Sequence, residues 1–340
     1  MACMSAGCGS DEPLRPESTS ELVELGRHLF YERRLSLNEN RSCGICHEQA
    51  KGFTDGFVRA VGTEGDVHPR NTLTILNAGS RETLSWLTPT KQTLAEQLLI
   101  PLLGESPVEM GGKGIIDRVI GELNADPVYI ALLTNLDAAS ELSIDLIAEA
   151  LQAFMETLIS RDSPYDRAVA GLSTLPPEVA RGAELFFSSK IGCAQCHGGI
   201  DFDEPDDNRH GWFNTGLYNV GDSRYPAGRE GLWEVTQDVA DIGRYRTPTL
   251  RHLALTGPYY HDGSGATLKD VLANYNRGGR LTTSGPYAGD GRLNRFKDPR
   301  IQPLGLSDRQ LDDLEAFLLS LTDKRIADHE DWSDPWPRTD

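Results

Sequence analysis

The chain has 340 residues, about twice the usual domain length, and its 39% hydrophobic and 25% charged content is that of a globular protein able to bury a core, so two domains are expected. With 33 basic against 51 acidic residues the net charge is −18, which excludes nucleic acid and anionic membrane surfaces as partners because both demand a basic face. No apolar run approaches the roughly 18 residues needed to cross a bilayer, which excludes a transmembrane helix.

In chain order, Met1 to Gly9 places small residues before Cys8 and is followed by a polar, Pro-containing stretch. This resembles the end of a bacterial lipoprotein signal with Cys8 as the lipidated residue, so 1–19 is read as signal remnant and disordered linker. Thr19 or Ser20 then caps a helix carrying Leu22, Leu25, Leu29 and Phe30 on one stripe. Cys43-Gly-Ile-Cys46-His47 follows. Thr93 with Glu96 forms a capping-box pattern for a second helix, interrupted or kinked at Pro101. Ser143 opens the clearest helix, with Ile144, Ile147, Leu151, Phe154 and Leu158 at helical spacing. The pattern breaks between Gly171 and Pro177, the expected boundary between a first domain, 20–170, and a second, 177–325.

Pro177 starts the helix that delivers Cys193-Ala-Gln-Cys196-His197, and a Gly-, Asp- and Asn-rich region runs on to Gly243. Thr267 with Asp270 caps a helix through Leu268, Val271, Leu272 and Tyr275, stopped by Gly278-Gly279. Ser307 with Gln310 caps the last helix, with Leu311, Leu314, Leu318 and Leu321 in a stripe. The tail, 326–340, is polar and Pro-rich and is expected to drape over the surface. The sequences flanking the two Cys-x-x-Cys-His motifs are too unlike to read as a repeat.

One such pair would fit a redox or zinc motif, but zinc needs both pairs within one small module, and these stand far apart. Cys-x-x-Cys-His occurring twice reads as two c-type haem attachment sites. The cysteines form thioethers and the adjacent histidine becomes the proximal iron ligand. That chemistry is done outside the cytoplasm, which points to the bacterial periplasm. The sixth ligand decides the chemistry, because a haem closed on both faces transfers electrons and an open one binds peroxide or oxygen. The methionines are Met1, Met4, Met110 and Met155, none in the second half. The second haem is left with His210, His252, His261 or a tyrosine, of which Tyr275 stands out on its buried helical stripe.

The ordered motifs identify a family. The first haem motif is followed by Gln97-x-x-x-Pro101, Pro107-Val-Glu109-Met110, the second haem motif, Arg246-Thr-Pro-Thr-Leu-Arg251 and Leu255-Thr-Gly-Pro-Tyr-Tyr-His261-Asp-Gly263. This order resembles the bacterial di-haem cytochrome c peroxidases from about Leu25 to Leu321, with Tyr275 where most members carry a methionine ligand. The substitution resembles the MauG-like branch, and Val67-His-Pro-Arg70 looks nearest to its MbnH group. The resemblance implies a mainly α fold of two packed cytochrome c-like haem domains and a His197/Tyr275 second haem. The first haem would be held by His47 alone, since Thr63 follows Val61-Gly62 where a ligating histidine is usual; His68 is a nearby substitute. Glu109 would be the distal acid/base, with Gln97 and Pro101 shaping its pocket. A calcium ion between the haems would take Asn71, Thr256 and Pro258. The tryptophan that bridges the haems falls on Leu87, with Trp86 one residue away. The activity implied is use of hydrogen peroxide to form a high-valent, bis-ferryl type state that oxidises tryptophan, for example to kynurenine, on a secreted partner protein. A peroxide-scavenging cytochrome c peroxidase and a non-enzymatic electron carrier are the alternatives. The surface tryptophan used as an exit two residues before the second haem motif is replaced by Ile191, leaving Trp212 or Trp233 as substitutes.

Overall fold

The computed structural model describes residues 19–136, 141–205 and 211–336. Cys8, His210 and the last residues of the tail lie outside the described residues. Helix α1 (Ser20–Tyr31) starts where the Thr19 hydroxyl accepts the Leu22 N–H, a contact worth about 1 kcal/mol, and it buries Leu25, Leu29 and Phe30. The first haem motif occupies the single turn α2 (Cys43–Cys46). Helix α3 (Leu94–Leu103) has the complete Thr93/Glu96 capping box and runs through Pro101, which sits in its last turns rather than ending it. Then come α4 (Ile116–Asn124), α5 (Pro127–Asn135) and α6 (Ile144–Thr157), the last capped by Ser143.

The second half begins with the short α7 (Pro164–Val169) and with α8 (Pro177–Phe187), Pro177 standing at its first position. After the one-turn α9 (Trp233–Thr236) come α10 (Leu268–Arg277), closed by Gly278 in the left-handed region, and α11 (Asp308–Leu319) with its Ser307/Gln310 box. Strand content is slight. Strands β1 (Trp212–Phe213) and β2 (Tyr245–Arg246) pair antiparallel with Trp212 opposite Arg246, and β3 (Leu281–Thr282) pairs with β4 (Gly289–Asp290).

Two cores result. The first gathers α1, α3 and α6 around Leu29, Phe30, Leu151 and Phe154; the second gathers α8, α10 and α11 around Phe186, Leu272, Leu314 and Phe317. Each rests on one helix pair with the same contact at its crossing. A Cβ on Gly26 would lie 1.9 Å from the Ala150 carbonyl oxygen and 2.9 Å from Phe154 Cβ. A Cβ on Gly182 would lie 1.9 Å from the Asp313 carbonyl oxygen and 2.8 Å from Phe317 Cβ. Only glycine lets either pair close. The repeat that the flanks of the haem motifs hide is therefore a packing repeat, and its trace in the sequence is Gly26-x-x-Leu29-Phe30 against Gly182-x-x-Leu185-Phe186.

The tail corrects the expectation of a surface strand. Ile326 and Trp332 are buried in the first core. Gln49 donates to the carbonyls of Ile326 (2.8 Å) and His329 (2.9 Å), and the Tyr31 hydroxyl donates to the Trp332 carbonyl (2.6 Å). Two large apolar residues in a polar stretch suffice to pull it inward, each burying side chain worth roughly 1.5–3 kcal/mol. Ahead of the 171–176 segment, Tyr165 in α7 packs on the second core, its ring 5.2 Å from that of Phe317.

Candidate active site

The two haem motifs are built alike below the cofactor. After His47 the chain turns back on itself through Phe53 at φ 58°, so that Glu48 bridges to Thr54 and the Phe53 carbonyl lies 2.9 Å from His47 Nδ1. After His197 it does the same through Phe202 at φ 56°, with Gly198 bridged to Glu204 and the Phe202 carbonyl 3.1 Å from His197 Nδ1. A carbonyl only accepts, so each Nδ1 carries the proton and donates, leaving the Nε2 lone pair for iron. Burial holds both imidazoles below the ordinary histidine value and keeps them neutral.

The first motif faces a cavity of about 510 Å³ whose wall includes Cys43, Cys46 and His47 together with Gln97, Pro101, Glu109 and His68. Helix α3 positions the loop above it, for the Pro101 carbonyl accepts Met110 N–H and the Glu109 carbonyl accepts Thr63 N–H. Burial raises the Glu109 carboxyl above the usual carboxylate range. His68 Nε2 stands 3.8 Å from Glu109 Oε1, and burial lowers its own affinity for a proton. Thr63 is buried outside the cavity wall, donating its hydroxyl to Asn40 at 2.8 Å. Glu105 lies off the wall, exposed and paired with Lys113. Three buried polar atoms of wall residues have no partner among the described residues: Gln97 Oε1, Arg70 Nε and Arg81 Nη2.

The second cavity, about 240 Å³, takes Cys193, Cys196, His197 and Tyr275 into its wall, with Phe186, Ile191, Val271 and several leucines. The Thr267 cap and Gly278 stop fix α10 so that Tyr275 meets the cavity, and its hydroxyl makes no hydrogen bond among the described residues. His261 also lies in this wall but stacks on Tyr245, ring centroids 3.5 Å apart; His252 is buried and lines neither cavity. Trp212 is buried, and Trp233 sits in α9, whose Glu234 and Val235 belong to the first cavity.

Trp86 lines both cavities, while Leu87 lines only the first. The Trp86 indole donates to the Asn71 carbonyl at 2.8 Å and meets the rings of Tyr245 and His261 edge-on at 6.3 and 6.5 Å. Asn71, Thr256 and Pro258 all reach the second cavity. Asn71 Nδ2 donates to the carbonyl of Phe57 at 2.9 Å, so its carboxamide oxygen is the atom that can coordinate a hard cation.

Each cavity thus joins paired thiols, a neutral histidine with a free Nε2 and largely apolar walls, and the first adds unpartnered guanidinium nitrogens suited to carboxylates. These residues fit a covalently attached haem in both places. The family model of di-haem cytochrome c peroxidases matches residues 20–174. The cytochrome-c peroxidase IdrP1 of Denitromonas iodatirespirans is 31% identical, covering 94% of this chain and 85% of its own. The methylamine utilization protein MauG of Methylorubrum extorquens is 32% identical, covering 90% of this chain and 82% of its own. A crystal structure of a MauG-like protein associated with microbial copper homeostasis superposes with a TM-score of 0.90 at 38% identity, covering 97% of this chain and 96% of that one. With relatives of this similarity along nearly the whole chain, the protein belongs to the MauG-like di-haem cytochrome c peroxidase family: it is an oxidoreductase with two c-type haems that acts on peroxide.

Proposed function

We propose that this peroxidase draws its electrons from a tryptophan side chain of a secreted partner protein, kynurenine being one product. The observation that carries the reading is Tyr275 in the wall of the second cavity with its hydroxyl unbonded among the described residues, where with His197 it would hold the iron of the second haem. When bound, the haems would supply the redox chemistry of peroxide reduction. Each peroxide takes up two electrons and two protons and leaves as two waters; tryptophan going to kynurenine gives up four electrons, so two peroxides are consumed, water supplies the added oxygen atoms and the lost ring carbon leaves as formate.

The chain's own residues manage protons and access. Glu109, with its raised proton affinity, takes a proton from one peroxide oxygen and returns it to the departing one, work commonly worth about 10²–10⁴-fold. His68 stays neutral beside it and adds no competing charge. Gln97 offers an unpartnered carboxamide oxygen to the same space, and Pro101 fixes the loop through its carbonyl. Trp86 joins the two cavities, and Asn71, Thr256 and Pro258 would hold calcium beside it. Thioether attachment, done outside the cytoplasm, supports a periplasmic enzyme, and the small residues before Cys8 support a lipid anchor at that residue.

The test is to mix the di-haem protein with peroxide and any small tryptophan-containing secreted protein that a neighbouring reading frame is found to encode. A peroxide-dependent mass change on one tryptophan supports the reading. The rival is simple peroxide scavenging, favoured by the 30% identity to the cytochrome c551 peroxidase of Nitrosomonas europaea. Fast turnover with a reduced small cytochrome, and no change in tryptophan, overturns the proposal in its favour.

A further inference from the structure

Between the cavities two arginines share one carboxylate. Arg81 Nε donates to Asp203 Oδ2 at 2.7 Å, and Arg246 Nη1 stands 3.9 Å from the same oxygen. All three side chains are more than nine-tenths buried, at 9, 6 and 7% exposure for Arg81, Asp203 and Arg246. Arg81 lines only the first cavity and Arg246 only the second. Arg246 spends Nε on the Ser85 carbonyl (3.0 Å) and Nη1 on the Thr247 carbonyl (3.1 Å). Its Nη2 has no hydrogen bond among the described residues, and Arg81 Nη2 is buried without a partner.

Two guanidiniums against one carboxylate leave a buried net positive charge, and buried charge is retained only where something answers it. Burial and the neighbouring Arg81 bring the Arg246 guanidinium down to about 10, in keeping with incomplete compensation by Asp203. The free nitrogens point to the missing anions, one from each side, and a guanidinium fork suits a carboxylate. We propose that Arg81–Asp203–Arg246 is a shared clamp that binds one carboxylate group of each haem and thereby couples the two haems electrostatically. Trp86 supplies an aromatic path between the cavities; the clamp supplies a charge that both haems feel. The proposal rests on two bound haems and not on what the enzyme oxidises.

Equilibrium redox titration of the di-haem protein, following each haem by its absorbance without peroxide or partner, tests it. Asp203→Asn removes a negative charge between the haems. It is expected to raise the ratio of reduced to oxidised haem at a set potential by on the order of tenfold at both haems. Arg81→Met is expected to lower that ratio at both, because the freed Asp203 charge then acts on the second haem as well. Arg81→Lys keeps the charge at the first haem and a single donor for Asp203, and is expected to stay within about twofold of the parent at both haems, which separates charge from packing. A change at only one haem in Asp203→Asn, or none at either, overturns the shared clamp. Failure of the partner assay alone leaves these titrations unaffected.

Discussion

The two halves are alike beneath the proximal histidine and unlike above it. Gly26 and Gly182 close equivalent helix pairs, Phe30 and Phe186 stand in equivalent cavity walls, and the carbonyls of Phe53 and Phe202 orient the two imidazoles. On the far side the first half offers Glu109, His68 and Gln97 around about 510 Å³, whereas the second offers Tyr275 and apolar walls around about 240 Å³. The proximal plan is what holding a haem requires. The distal residues decide whether a haem meets an outside reactant or is closed off from one.

That contrast can be broken most completely by spectroscopy. The resting ferric protein is expected to show one five-coordinate high-spin and one six-coordinate low-spin haem by electron paramagnetic resonance; two low-spin signals would erase the difference between the halves. Tyr275→Met is expected to keep both haems attached and abolish partner oxidation, while Tyr275 variants that modify the partner at the parent rate would remove the tyrosine from the argument.

Glu109→Gln keeps volume and hydrogen bonding but removes the proton acceptor, so stopped-flow reaction with peroxide is expected to slow by about 10²–10⁴-fold. Glu105→Gln, an exposed residue off the cavity wall, is expected to leave the rate within about twofold of the parent, given how little such pairs contribute. The sign of the pH effect follows from the raised Glu109 value: the working carboxylate is present above its pKa. The rate therefore falls as pH drops through a value higher than the ordinary carboxylate pKa of about 4.3, and Glu109→Gln flattens that limb. A last effect concerns stability alone. Trp332→Ala is expected to cost about 3–5 kcal/mol by thermal or denaturant unfolding, felt in the first half, with the second haem's spectrum unchanged.

The fold was legible wherever the signal is local. The caps at Thr19, Thr93, Ser143, Thr267 and Ser307 are contacts within three residues, and their helices begin where the spacing predicts. The tail was illegible because Trp332 finds its site against Tyr31 and Phe53, near the other end of the chain. In the site, the residues of Cys-x-x-Cys-His carry their chemistry in their spacing. Trp86 does not, since only the turn at Ser85–Thr88, held by the Ser85 hydroxyl accepting Leu87 and Thr88 N–H, decides which neighbour stands between the cavities. Arg81 and Asp203 escaped for a like reason, and Arg246, though it opens the Arg246–Arg251 motif, showed no partner there: the three charges, scattered along the sequence, acquire meaning only when buried together.

The returning tail also sets an order of events for the newborn chain. Cys43, Cys46 and His47 come early in the chain, but the core behind them lacks Ile326 and Trp332 until the segment after α11 has followed. Helices α1 and α6 can meet before then, yet Gln49, two residues past His47, still waits for the carbonyls of Ile326 and His329. The second half has no such debt, because α8, α10 and α11 all precede the tail. The first half is therefore the last to become solid, and its attachment motif stays on an unfinished core until the tail arrives.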